Sequence, residues 1–185
     1  MRFFLIILCA ITEIMSFRKI LFKTNIITPV IYTKQYADTI EHVFPKSLSK
    51  AHSNDLHNLF ICNGKINNIR SNYKFTNESD ILTDNNWIKL EENNYVNNKK
   101  RLFIPNNESK GIVARAIMYM SYNHDYNYKQ IINYNHLINW SIDHPPTKEE
   151  YNHNELAFQC QKKRNKFIDL YDNKKYKSEI TNIFK

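Results

Sequence analysis

Glu41 and His42 stand side by side, followed by a second polar cluster, Asp55, His57 and Asn58, and a third, Asn67 with Arg70, Ser71 and Asn72. Neighbouring residues on a strand point to opposite faces, so Glu41 and His42 cannot both ligate one ion in simple geometry. One of them can hold an ion while the other addresses a nearby water. The oxygens on offer are carboxylate and carboxamide, a donor set that suits magnesium with several waters retained rather than zinc. The three cysteines, Cys9, Cys62 and Cys160, form no CxxC pair and no Cys/His cluster with zinc spacing, so no structural zinc site is expected.

Each of these side chains needs an element to hold it. Residues 25–35, with Pro29 against helix, read as an extended lead-in. Residues 39–44 suit a short strand stopped by Pro45, residues 46–54 a polar loop, and residues 56–61 a second strand. Ile66, Ile69 and Arg70 have the spacing of a short helix over 64–72, so the order is strand, strand, short helix. Residues 73–109 are Asn-rich and irregular, with strand pieces at 87–90 and 101–104. An amphipathic helix over 110–122 gathers Ile112, Val113, Ala116, Ile117 and Met120 on one face. A further helical stretch covers about 127–140. Thr147 with Glu150 makes a capping box for a last long helix over 147–170, and the Lys-rich tail beyond is expected to fray.

The chain has 185 residues, 42% of them hydrophobic, which fits one compact domain. Its 26 Lys and Arg against 18 Asp and Glu give a formal charge of +8. That field favours polyanions such as nucleic acid, or an anionic membrane surface; the plainer alternative is a basic surface kept for solubility. The surplus of Asn, Ile, Lys and Tyr reflects coding bias rather than function. At the N-terminus, Met1 and Arg2 precede an apolar run over 3–11 that is too short to span a bilayer. It reads as a secretory leader of about residues 1–16, leaving 17–185 as an exported domain; the alternative is an intracellular protein with an uncleaved N-terminus. Cleavage would leave Cys62 and Cys160, either bridged or as two buried thiols.

Taken in order, the polar blocks resemble the endonuclease I family of ββα-metal (His-Me finger) nucleases. The match runs through Glu41-His42, a short basic loop, Asp55-Leu56-His57-Asn58-Leu59, and Asn67 with Arg70-Ser71-Asn72. Lys110-Gly111, Ala114-Arg115 and Tyr119-Met120 are similar to that family's long helix. Trp140, Pro145-Pro146, Asn154-Glu155 and Arg164-Asn165-Lys166-Phe167-Ile168-Asp169 are similar to its later features, so that the resemblance covers about residues 38–171.

The resemblance implies an α+β fold, a single domain built around a ββα-metal motif with several packed helices. It implies a Mg²⁺-dependent, largely sequence-nonspecific endonuclease of DNA, and by extension RNA, leaving 5′-phosphate and 3′-hydroxyl ends. Mn²⁺ or Ca²⁺ would be able to replace the magnesium. His42 would be the general base, and Glu41 and Asn67 would hold one ion. His57 and Asn58 would orient His42 and the metal loop, while Asp55 would brace the turn. Arg70 would either touch phosphate or pair with a carboxylate. The family's phosphate-stabilising arginine between the base and the second block is missing; Lys46 or Lys50 would substitute. Lys110 and Arg115 are further candidates for contact with a nucleic-acid backbone, against the plainer reading of a solvated helix face. A monomer without stable membrane association is expected. The alternative function is a basic nucleic-acid-binding protein that no longer cuts.

Overall fold

A computed structural model describes residues 28–34 and 37–185. The leader, and the start of the lead-in, lie outside the described residues. The rest of the lead-in supplies Val30–Ile31 (β1), which pairs in parallel with Leu59–Cys62 (β3). Thr39–His42 (β2) runs antiparallel on the other side of β3, with Glu41 opposite Phe60 and His42 opposite Leu59. Gly64–Arg70 (α1) follows β3 directly and packs on β2. Its first turn is capped by the Asn63 side chain, which accepts from the Lys65 and Ile66 amides.

The expected strand over 56–61 is corrected at its start. The Asp55 carboxylate accepts from the His57 amide and closes a 3-10 turn over Leu56–Asn58, so extended backbone begins only at Leu59. Cys62 ends β3 as a buried free thiol while Cys160 is disulfide-bonded, so the two neither bridge one another nor stand as a pair of buried thiols. Burial, with the Glu41 and Asp38 carboxylates nearby, pushes that thiol's pKa up.

Residues 73–109 hold more order than their composition suggests. Lys74–Phe75 (β4), Ile88–Lys89 (β5), Tyr95–Asn97 (β6) and Leu102–Ile104 (β7) form a second sheet in the order β4-β7-β6-β5. β4 is parallel to β7, and the other pairings are antiparallel. Strands of two or three residues are too short to show alternation, so β4 and β6 leave no pattern to read.

Asn107–His124 (α2) is the central helix, and it is not amphipathic. Every residue from Ser109 to Met120 is buried, because α2 is covered by β1, the Leu56–Asn58 turn and neighbouring helices. This overturns the expectation of nucleic-acid contacts from Lys110 and Arg115. Lys110 is buried with its Nζ 2.5 Å from Glu78 Oε1, and Arg115 meets both oxygens of Glu150 at 2.6 and 2.7 Å. A buried cation must keep a partner, and these partners are carboxylates of the protein itself, Glu150 buried and Glu78 half-exposed. Gly111 lets the next helix come close, since a Cβ there would lie 2.3 Å from the His144 carbonyl oxygen.

The stretch expected as one helix over 127–140 is a 3-10 turn over Tyr128–Gln130 followed by Tyr134–Asp143 (α3). Thr147 caps Lys148–Gln161 (α4), accepting from the Glu150 amide; the Glu150 carboxylate itself is on Arg115. The predicted long helix then breaks. Lys162 turns left-handed at φ 59°, and Asn165 caps a separate short helix, Lys166–Asp169 (α5). The tail expected to fray forms Tyr176–Phe184 (α6), which buries Tyr176, Ile180 and Phe184 at helical spacing against the core. Among the described residues, no helix is long and apolar enough to cross a membrane.

Arg115→Met would strand the Glu150 carboxylate without its cation in the interior. Urea titration should show a loss of about 3–5 kcal/mol, the usual cost of halving a buried ion pair. A loss below about 1 kcal/mol would mean that this pair is not what joins α2 to α4.

Candidate active site

The site forms where α1 crosses the end of β2. Asn67 sits in the middle of α1, and its Nδ2 donates to the Ile40 carbonyl at 3.1 Å. A carbonyl oxygen only accepts, so the nitrogen must face the strand, and the carboxamide oxygen is the end left for another group. The acceptor belongs to the peptide that joins Ile40 to Glu41. Asn67 is thus tied to the Ile40–Glu41 peptide, and Arg70 of the same helix pairs with the Glu41 carboxylate, so both residues belong to one strand–helix junction.

Glu41 is almost wholly buried, at 2% exposure. Its Oε1 lies 3.0 Å from Arg70 Nη1 and accepts from the Tyr32 hydroxyl at 3.0 Å. Burial pushes the Glu41 pKa up, against the pull of the Arg70 charge, the Tyr32 hydroxyl and the His42 amide. Arg70, one turn after Asn67, also donates to the carbonyls of His42 at 3.2 Å, Val43 at 2.7 Å and Ser71 at 2.9 Å. Its guanidinium lies over the Phe75 ring at 4.5 Å. Of the two roles open to Arg70, the structure shows pairing with a carboxylate. At 1% exposure it is not presented to a phosphate.

His42 follows Glu41 and is half-buried. Burial, together with the Lys46 and Arg70 charges, holds its pKa below the ordinary 6.5. The ring is thus neutral at pH 7 and able to accept a proton. Lys46 and Lys50 lie exposed on the loop after β2, the only two of the four candidate phosphate contacts at the surface.

Asn58 holds the strand just past the base. Its Oδ1 accepts from the Phe44 amide at 2.6 Å and its Nδ2 donates to the Phe44 carbonyl at 2.9 Å. His57 differs from expectation. Its ring is tied to the helical layer, with Nε2 3.0 Å from the Lys163 carbonyl and its centroid 4.2 Å from that of Tyr119. In a 3-10 turn the side chains of successive residues diverge, so Asn58 reaches the β2 end while His57 anchors the turn behind it. Asp55 braces the same turn, receiving Gln161 Nε2 at 2.9 Å, the Tyr119 hydroxyl at 3.2 Å and His124 Nε2 at 2.8 Å. Burial alone would raise its pKa, but the bonds from Gln161, His124 and the His57 amide outweigh it and hold the carboxyl low.

Two features carry no sequence signal. Tyr32, in the lead-in, lies outside every block that the motif comprises, yet it touches Glu41 directly. His52 and His124 stack at 3.9 Å beside Tyr126, joining the basic loop to the end of α2. Among the described residues there is no group of three or more His, Cys, Asp and Glu side chains placed to hold a metal ion. An ion at this junction would be bound by one carboxylate, one carboxamide and water, a set that fits a hard cation.

A scan against known protein families matches residues 10–171 to Endonuclease I. The chain belongs to the endonuclease I family. It is therefore a nuclease, a hydrolase that acts on nucleic acid, from a family whose members suggest a divalent metal cofactor. A search of the curated proteins finds no match. The ββα order of this endonuclease I family member, β2, β3 and α1, is the element that gathers Glu41, His42, Asn67 and Arg70.

Behind the Leu56–Asn58 turn, His153 on α4 is enclosed, with Nε2 2.8 Å from the Leu56 carbonyl. Burial pushes its pKa down from 6.5 to about 4, with the His57 ring adding to the fall. Between those values the unfolded chain takes up a proton that the folded chain refuses. Stability from this group is thus present above about pH 6.5 and declines toward pH 4, by up to about 3 kcal/mol. Urea midpoints at pH 7 and pH 4.5 should lie closer together in His153→Gln than in the unaltered protein. Equal separations would show that His153 does not titrate this way.

Proposed function

We propose that this nuclease is a Mg²⁺-dependent, largely sequence-nonspecific endonuclease of DNA, with RNA as a second substrate. In this reading His42 is the general base, and Glu41 and Asn67 are the protein ligands of one ion. The observation that carries it is the bond from Asn67 Nδ2 to the Ile40 carbonyl, which commits the nitrogen to the strand next to Glu41 and leaves the carboxamide oxygen as the end for an ion. Bound there, Mg²⁺ would polarise the scissile phosphate and stabilise the leaving 3′ oxygen. His42, kept neutral by burial and by the Lys46 and Arg70 charges, takes a proton from the attacking water. The products are 5′-phosphate and 3′-hydroxyl ends.

Lys46 takes the part of the arginine missing between the base and the second block. It is exposed, and its charge already acts on His42, so a phosphate drawn to its ammonium is brought beside the base. A lysine offers a point charge rather than a two-pronged grip, so phosphate positioning is looser than an arginine would give. The charge of +8 supplies the remaining backbone attraction, which reads no sequence. Export after removal of residues 1–16 belongs to the same proposal, tested by sequencing the N-terminus of protein recovered outside the cell.

Plasmid nicking with Mg²⁺, and its loss in EDTA, tests the metal requirement. His42→Ala should slow cleavage about 10²–10⁴-fold with nucleic-acid binding and folding retained. Near-normal cleavage by that variant would overturn the role of His42. Binding without cleavage by the unaltered protein would leave the non-cutting alternative.

A further inference from the structure

Tyr32 is held in place more firmly than a residue of the lead-in needs to be. It follows β1 with φ at 69°, a left-handed conformation that an aromatic residue rarely adopts. Its amide donates to Ser109 Oγ at 2.8 Å, at the start of α2. Its carbonyl accepts from Asn94 Nδ2 at 2.7 Å and Asn106 Nδ2 at 3.1 Å. The ring meets Phe103 edge-on at 5.1 Å, and the residue has no exposed surface. Strained backbone persists where the surroundings over-determine it, and here they aim one hydroxyl at one carboxylate oxygen.

That oxygen is Glu41 Oε1, which also faces Arg70 Nη1. Nη1 gives its protons to the His42 and Ser71 carbonyls, so the Tyr32 hydroxyl holds one lone pair of Oε1 while the Arg70 charge, 3.0 Å away, repels a cation from the other. We propose that Tyr32 is a positioning residue that makes Glu41 a one-oxygen ligand, through Oε2, and so favours a small octahedral cation over a larger one. The proposal rests on the reading of Glu41 as a metal ligand. Mg²⁺ and Mn²⁺ accept single-oxygen carboxylates in an octahedron. Ca²⁺ is larger, takes more ligands, and gains from a carboxylate that offers both oxygens. With the Tyr32 hydroxyl on one lone pair of Oε1 and the Arg70 charge beside the other, Ca²⁺ is denied that second oxygen, while Mg²⁺ and Mn²⁺ lose nothing.

Tyr32→Phe keeps the ring against Phe103 and removes only the hydroxyl. The readout is cation binding without nucleic acid, on the full chain: Mn²⁺ by electron paramagnetic resonance of the free ion, and Ca²⁺ by its competition with Mn²⁺. Loss of one hydrogen bond to a charged oxygen should move the preference for Mn²⁺ over Ca²⁺ by about tenfold toward Ca²⁺. Should that variant not fold by circular dichroism, Ser109→Ala, which releases the Tyr32 amide and keeps the hydroxyl, is read for the same shift. An unchanged preference in the folded variant overturns the role of Tyr32. A merely structural tyrosine would weaken both ions equally, which also overturns it. Glu41→Gln separates the two readings: Mn²⁺ binding undiminished in that variant removes Glu41 as a ligand, whatever Tyr32 does.

Discussion

Burying the Arg70 guanidinium is the constraint on which the rest of this protein is arranged. A charge taken out of water needs several acceptors, and Arg70 finds a carboxylate and three carbonyls within one strand–helix junction. Two of those carbonyls, from His42 and Val43, terminate β2, so the contacts that satisfy the arginine also fix the backbone under the base. The same cation compensates the buried Glu41 and helps keep His42 neutral. One side chain thereby sets the electrostatics on both faces of the strand.

A second theme is the use of carboxamides as backbone clamps. Asn58 grips both polar groups of Phe44, and Asn94 bonds the Tyr32 carbonyl and the Asn106 amide. Asn154 accepts from the Asn165 amide, while Asn165 donates to the Arg115 carbonyl. Each of these asparagines is buried. A carboxamide offers one donor end and one acceptor end, which matches a peptide group and lets irregular chain be buried without orphaned polar atoms. Coding bias accounts for how many asparagines the chain has, but not for where these sit. They take the place of long strands in a fold whose sheets have two to four residues per strand.

The helical layer supports the site from behind. α2 is buried along most of its length and carries its own cations, Lys110 and Arg115, paired with Glu78 and Glu150. Its C-terminal half, with α4, backs the Leu56–Asn58 turn through Tyr119, His124, His153 and Gln161. The turn is thus clamped on one side by the helices and clamps β2 on the other.

The order of chemistry was legible in the sequence: Glu41-His42, the Asp55 turn, then Asn67 and Arg70 at helical spacing, with strand, strand and helix to carry them. Local signals suffice there, because a strand, a capped turn and a short helix are set by near neighbours. The cap at Thr147 belongs to the same class. What only the tertiary structure decided is which charges face water. Lys46, Lys50, Lys110 and Arg115 are equivalent as letters, yet burial turns two of them into internal partners of Glu78 and Glu150 and leaves two exposed. The direction of the His57 ring, the fate of the tail as α6 and the reach of Tyr32 to Glu41 depend likewise on residues distant in the chain. Burial is a property of what lies across the interior from a side chain, and no local spacing carries that information.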